Sequence, residues 1–241
     1  MNRKLILITL CVAMTLSLQA QEDIHNDSST VQQAKSLWTL GIHGGAAMEH
    51  FSINTQYAYN RSYHGEYGAY MGFFASYEFF DWLRVRVHFD MIQKNYKFSR
   101  TGFYDKLHTR YRNTYIDIPV MADFSFGGQK LKGHFLAGGY LGYWLSGHRT
   151  GTIYIVDDEV ETDALYDFDE AYTFDSNKDN RFDAGLATGA GLSYRFSNNI
   201  EVCAEYLLFH GLTSTTKNYM RTSDPRYHTS HTFSLGVSYC F

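Results

Sequence analysis

The chain has 241 residues, of which 44% are apolar and 17% aromatic, with 20 Gly, only 2 Pro and a formal net charge of −4. A slightly polar mean hydropathy with a single long apolar run excludes a helical multi-span membrane protein, which needs repeated stretches of about 20 apolar residues. The apolar content excludes disorder, and a mild negative charge without a basic stripe gives no footing to a nucleic-acid partner.

The apolar run lies at the start. Asn2-Arg3-Lys4 is a basic lead, Leu5 to Leu18 a short apolar core and Ala20 a small residue before Gln21, the pattern of a secretory signal peptide spanning residues 1–20. Such a run is short for an anchoring span of about 20 residues, and Leu10 ahead of Cys11 disfavours a lipoprotein signal. Residues 21–35 are polar and without period, a flexible periplasmic lead-in, and residues 36–241 form the domain proper.

In that domain eight segments alternate apolar and polar residues with the period of two that marks a half-buried strand. They are Leu37–Met48, Tyr67–Phe79, Trp82–Phe98, Arg112–Phe126, Leu131–Ser146, Arg181–Phe196, Ile200–Thr213 and His228–Phe241. Short links at Phe80-Asp81, Gly127-Gly128-Gln129-Lys130 and Ser197-Asn198-Asn199 alternate with long ones over 50–66, 99–111, 147–180 and 214–227. That order predicts up-and-down hairpins whose tight turns share one end.

One face of each segment is oily: Leu83, Val85, Val87, Phe89 and Met91 on the third, against Arg84, Arg86, His88 and Asp90. The segments are longer than the usual soluble strand and suit a tilted crossing of about 9 to 11 residues with overhang. Glycines crowd the polar face (Gly68, Gly72, Gly138, Gly142, Gly185, Gly189, Gly191), as a narrow interior requires. Aromatics on the apolar face gather beside the short turns at Trp38, Tyr77, Phe79, Phe124, Phe126, Tyr194, Phe196, Tyr239 and Phe241, an interfacial girdle. The pattern predicts an all-β, eight-stranded antiparallel up-and-down transmembrane β-barrel, with a soluble lipocalin-like barrel as the weaker alternative. At the C-terminus Gly236, Tyr239 and the terminal Phe241 have the spacing of an outer-membrane assembly signal.

These segments resemble the small outer-membrane β-barrel family of Bacteroidota that includes the PorT-like proteins. The residues carrying the likeness are Tyr115-Ile116-Asp117-Ile118-Pro119-Val120, Ala137-Gly138-Gly139-Tyr140-Leu141-Gly142-Tyr143, Arg181-Phe182-Asp183-Ala184-Gly185, Gly189-Ala190-Gly191-Leu192 and Gly211-Leu212-Thr213. The resemblance implies an integral outer-membrane location and contact with lipid and lipopolysaccharide. It further implies passage through the barrel-assembly machinery, with envelope or secretion proteins as partners.

An eight-stranded barrel is filled by its own side chains, so the inward charges should cancel. Tight-turn registers place Arg195 opposite Glu201 and Glu78 near Arg84. The expected network sets Arg84, Arg86, Lys132 and Arg195 against Glu78, Asp117, Asp123, Glu201 and Glu205, with a gated ion path as the alternative. Pro119, at an inward position, should cost one ladder bond and bend the strand. Cys203 and Cys240 share the inward parity, so a disulfide and two free lumen thiols both stay open.

The third long loop is acidic, and Asp175, Asn177 and Asp179 have the Asp-x-Asn-x-Asp spacing of Ca²⁺ ligands. No Gly follows and Leu186 stands where the closing Glu belongs, so the EF-hand match fails. A solvated loop is the first reading and cation binding, bridging to lipopolysaccharide phosphates, the second. Apart from such Ca²⁺, no cofactor is expected. A lipid-modifying enzyme would need a coupled His and Ser; His210 and Ser214 share a face but lie about 13 Å apart along a strand. The expected function is therefore non-catalytic, a plugged barrel acting through its loops or within an envelope assembly. A narrow porin-like channel is the alternative and a lipid-A-modifying enzyme the third reading.

Overall fold

The structure, a computed structural model, describes residues 37–53, 60–102, 105–155, 164–197, 199–217 and 226–241. The proposed signal peptide and lead-in lie outside them, as do Asp157, Asp158, Glu159, Glu161 and Asp163 of the acidic loop. The described residues belong to one unit, Ser36–Phe241.

Eleven strands run in chain order: β1 (Trp38–Ile53), β2 (Arg61–Gly65), β3 (Tyr67–Phe80), β4 (Leu83–Gln93), β5 (Tyr96–Arg100), β6 (His108–Gly127), β7 (Leu131–Ile155), β8 (Ala164–Ala171), β9 (Phe182–Arg195), β10 (Ile200–Gly211) and β11 (Arg226–Cys240). All pairings are antiparallel. Neighbours follow the order β6-β4-β3-β1-β11-β10-β9-β7, and β7 pairs back onto β6, which closes a ring of eight. First and last strands meet in this ring along Thr39↔Cys240 to Ile53↔Arg226. Closure leaves no sheet edge at membrane depth, the condition a β structure must meet in lipid.

The tight turns lie where the alternation lapses. Gly127 takes a φ of 120°, a conformation open to glycine, and Gly128 N–H donates to Leu131 O at 2.9 Å to close the β6–β7 hairpin. Ser197 caps the β9–β10 turn, accepting from Asn199 N–H and Ile200 N–H.

Two sequence expectations change. The third segment, Trp82–Phe98, is two strands, interrupted at Lys94-Asn95. There the Asn95 side chain stands in for the ladder, accepting from Asn113 N–H at 3.1 Å and donating to Tyr67 O at 3.0 Å, while Lys94 turns inward. The register is unchanged across the break, from Gln93↔Thr114 to Tyr96↔Tyr111. Pro119 does face inward, and pairing with β4 lapses between Val87↔Val120 and Asp90↔Asp117, again without a register shift. The bulge lies further along β6, at Thr114/Tyr115 against β7. There Arg181 supplies the missing donors, to Trp144 O at 2.9 Å and Leu145 O at 3.0 Å.

Part of the expected long loops is strand. Beyond the ring β6 and β7 continue together and gain β5 and β2 on one side and β8 on the other, so that β2-β5-β6-β7-β8 forms a sheet at the long-loop end.

The outer face of the ring carries the apolar residues, exposed along every strand: Ile42, Phe73, Val120, Leu141, Leu186 and Leu235 among them. Trp38, Phe79, Phe126, Phe196, Tyr239 and Phe241 form the girdle at the short-turn end, joined by Phe80 and Trp82. Inside, Tyr70, Ile92, Tyr115, Met121, Leu136, Tyr140, Leu207 and Phe209 pack as a central core. The inverted arrangement, oil outside and charge within, is the pattern of a barrel solvated by lipid.

Candidate functional site in the barrel lumen

The polar face of the alternation becomes a column of buried charge. Nearest the short turns, Asp123 takes Arg86 Nη2 at 2.6 Å and Arg84 Nη2 at 3.1 Å. Arg86 also binds Glu205, and Arg84 Nη1 lies 3.8 Å from Glu201. Arg195, opposite Glu201 in the β9–β10 ladder as expected, reaches Glu201 Oε2 at 3.5 Å. His134 fills the remaining space, its Nδ1 3.0 Å from Asp123 Oδ1 and its Nε2 2.7 Å from Ser193 Oγ. Glu78 pairs directly across from Arg84. Lys132 is half-buried at the same rim and is not drawn into the interior pairs.

Above this layer lie His43, His88 and Asp90, and above them Lys94. Its ammonium donates to Asp183 at 2.7 Å, lies 3.0 Å from Asp117, and sits over the rings of Tyr115 (4.5 Å) and Tyr140 (5.0 Å). Asp117 is thus met by Lys94 from the strand break, a cation outside the expected set of Arg84, Arg86, Lys132 and Arg195. Nearest the long loops Glu49 accepts from Ser230 Oγ at 2.5 Å and Thr229 N–H at 3.1 Å, with His228 Nδ1 at 2.8 Å.

Registers explain how so many acids fit. His43↔Gly72, Gly72↔Asp90, Asp90↔Asp117, Asp117↔Gly142 and Gly142↔Asp183 are direct partners, a single row crossing six strands. The glycines are spaces for the carboxylates: a Cβ on Gly72 would lie 2.3 Å from Asp90 Oδ1, and one on Gly142 would lie 2.3 Å from Asp117 Oδ1.

Lys94, Asp183, His43, Glu49 and His228 did not enter the sequence-derived network. Parity alone held part of the signal, since Lys94 continues the inward positions of Arg84 and Arg86 and Asp183 follows the outward Phe182. In the buried column three full cations, Arg84, Arg86 and Lys94, face seven carboxylates, Glu49, Asp90, Asp117, Asp123, Asp183, Glu201 and Glu205.

Of the two readings left open for the cysteines, the structure has free, buried thiols. Cys203 pairs with Gly236, whose missing side chain leaves room for its sulfur, whereas Cys240 lies four residues further along β11. At a strand rise of about 3.4 Å per residue that offset exceeds the Cα separation of about 7 Å a disulfide spans.

In the third long loop the carboxylates of the Asp-x-Asn-x-Asp segment serve a turn. Asp175 accepts from Asn177 N–H at 2.9 Å and meets Lys178 at 3.2 Å, and Asp179 accepts from Asp175 N–H at 2.8 Å and Tyr172 O–H at 2.9 Å. These donors hold Asp175 below the usual carboxylate range, the Asn177 N–H first and Lys178 next. Burial, with Asp179 beside it, raises the Tyr172 phenol above its ordinary value. Further acids of this loop lie on β8, where Asp169 meets His148 and Glu170 meets Arg149 at 2.6 Å. Ser214 is tied into its own turn, accepting from Thr216 N–H, and His210 Nδ1 lies 3.2 Å from Thr229 Oγ1, so the two are not coupled.

A closed eight-stranded ring with an apolar exterior, an aromatic girdle and an interior filled by charged and aromatic side chains defines a small transmembrane β-barrel. Residues 19–217 match the model of the outer membrane protein beta-barrel domain, and the chain belongs to that family as an integral outer-membrane protein. The fold is similar to that of the outer membrane protein OprG from Pseudomonas aeruginosa, at a TM-score of 0.50 and 11% identity over 88% of this chain and 99% of that one. Neisserial surface protein A gives 0.47 and 15%, over 85% and 97% of the two chains. The outer membrane protease OmpT from Escherichia coli gives 0.47 and 8%, over 89% and 99%. No curated protein matches the sequence.

Proposed function

We propose that this barrel is a plugged, non-catalytic member of its family that acts through its long-loop end or as part of an envelope or secretion assembly. The observation that carries the reading is the β7–β8 arm. Here β7 runs on past the ring between β6 and β8, and toward the end of their pairing Ile153 stands against Tyr166 on one face and Tyr154 against Leu165 on the other, all exposed. Exposed apolar side chains such as Ile153 and Tyr166, side by side on one face of this edge, offer an attachment surface. Below them, salt bridges and aromatic rings occupy the lumen at every level from Asp123 to Glu49, which argues against solute flow.

Co-purification from the native outer membrane in mild detergent tests the assignment. A stoichiometric envelope protein should accompany the wild type and be lost from the Ile153→Ser/Tyr166→Ser variant, while the barrel itself keeps its heat-modifiable mobility. A stable open conductance in planar-bilayer recordings of the pure protein would instead establish a channel.

A further inference from the structure

We infer that His43, His88 and Asp90 form a buried binding site for one divalent metal ion of the zinc class inside the barrel. His43 comes from β1 and His88 and Asp90 from β4, and one atom of each lies within 4.8 Å of the others. His43 Nε2 is 3.2 Å from Asp90 Oδ1, and His88 Nδ1 is 3.5 Å from Asp90 Oδ2. Ligand atoms about 2.0–2.1 Å from a tetrahedral ion stand about 3.4 Å apart; each histidine already stands at about that distance from one Asp90 oxygen, and side-chain rotation would bring the set, within 4.8 Å as it stands, onto one ion.

Three further observations point to an occupant. Among the described residues His43 Nδ1 and His88 Nε2 have no polar partner, and the other two ring nitrogens meet only the Asp90 carboxylate, in contacts not aligned as hydrogen bonds, although these side chains are at most 1% exposed. Buried polar atoms are ordinarily paired, and unmet ones signal water or an ion. Next, Asp90 is already oriented. Tyr70 O–H donates to Oδ2 at 2.7 Å and leaves Oδ1 toward His43, the kind of outer contact that fixes a ligating carboxylate. Last, the excess of carboxylates over cations in the column gives a dication a favourable field. The other buried histidines lack this character: His228 is held by Glu49 and His134 by Asp123 and Ser193. Two imidazoles with one carboxylate are a donor set that suits zinc and its neighbours rather than Ca²⁺ or Mg²⁺.

Because the site is enclosed, the test loads the ion during refolding. The full chain is unfolded in chelator, refolded into detergent with Zn²⁺ alone, treated with EDTA to strip surface histidines, and analysed for metal after gel filtration. Wild type and His228→Gln should retain one zinc per chain, and His43→Gln and His88→Gln none, with refolding of each checked by heat-modifiable mobility. Refolding with Co²⁺ should give the visible ligand-field bands of nitrogen and oxygen coordination in the wild type, a readout that stands even where a variant fails to refold. Wild-type protein free of zinc and without cobalt bands, or zinc content unchanged in His43→Gln and His88→Gln, would overturn the proposal and leave water or protons as the occupants.

Discussion

Replacing Lys94 with Met isolates the energetics of the charged column. Met keeps the aliphatic stem between the rings of Tyr115 and Tyr140 and removes only the ammonium that answers both Asp117 and Asp183. Asp117 is fully buried, and Asp183 keeps the hydroxyls of Tyr140 at 3.2 Å and Thr213 at 2.9 Å. Removing one side of a buried ion pair costs about 3–5 kcal/mol, mostly because a charge is left unanswered. The two cation–π contacts add about 0.5–2 kcal/mol each where desolvated. Overlap between these contributions keeps the expected loss near about 4 kcal/mol, since one carboxylate can take up a proton. The triple variant Lys94→Met/Asp117→Asn/Asp183→Asn removes the uncompensated charge and should recover most of the deficit. Urea unfolding in phospholipid vesicles, followed by tryptophan fluorescence and by heat-modifiable mobility, reads both values. A single-variant loss under about 1 kcal/mol, or a triple variant no better than the single one, would refute the view that this lysine neutralises the upper lumen.

The remaining expectations are simpler. Gly142→Ala should cost about 1–3 kcal/mol by overpacking, because the new methyl meets an Asp117 carboxylate that Lys94 holds in place. Gly44→Ala, with open space outside, should be near neutral in the same unfolding assay. Cys203 and Cys240 should each add one alkyl group after unfolding in the absence of reductant, read by intact mass, and a species resistant to alkylation until reduced would contradict the register. Asp175 should titrate below the usual carboxylate range by NMR. Its folded value is depressed, so its contribution to the turn is present above the ordinary pKa and lost as pH falls through the folded one. Lys178→Met should restore the value only in part, the Asn177 N–H being the larger cause.

How far the sequence could be read depended on which quantity was being read. A period of two assigns faces without any knowledge of pairing, so Val85 and Val87 outward and Arg84 and Arg86 inward were legible, as were the girdle aromatics and the eight-strand ring. Tight turns extend that reach by a few residues, which is why Arg195 opposite Glu201 and Glu78 opposite Arg84 were placed. Partners around the ring depend on register accumulated across several strands, and one residue of error reverses every face. The Lys94 contacts with Asp117 and Asp183 were therefore out of reach. The strand break at Asn95 was hidden for another reason: a side-chain amide imitates the ladder there, so the register carries on across it and the polar run Gln93-Lys94-Asn95 is its trace in the sequence.

The same limit bears on the row from His43 to Asp183. Read singly, its members are a histidine, two glycines and three aspartates spread over 141 positions of chain, and although Asp117, Gly142 and Asp183 fall in segments that carry the family likeness, no segment joins one to the next. Their chemistry arises only because ring closure makes them consecutive neighbours. Each glycine then acts as a vacancy into which the adjacent carboxylate turns, so Gly72 and Gly142 set the directions of Asp90 and Asp117 as surely as a hydrogen-bond donor would. Substituting Gly142 should therefore disturb a charge one strand away before it disturbs the backbone that carries it, whereas a methyl on Gly72 meets the backbone oxygen of Phe89 at 2.5 Å as well.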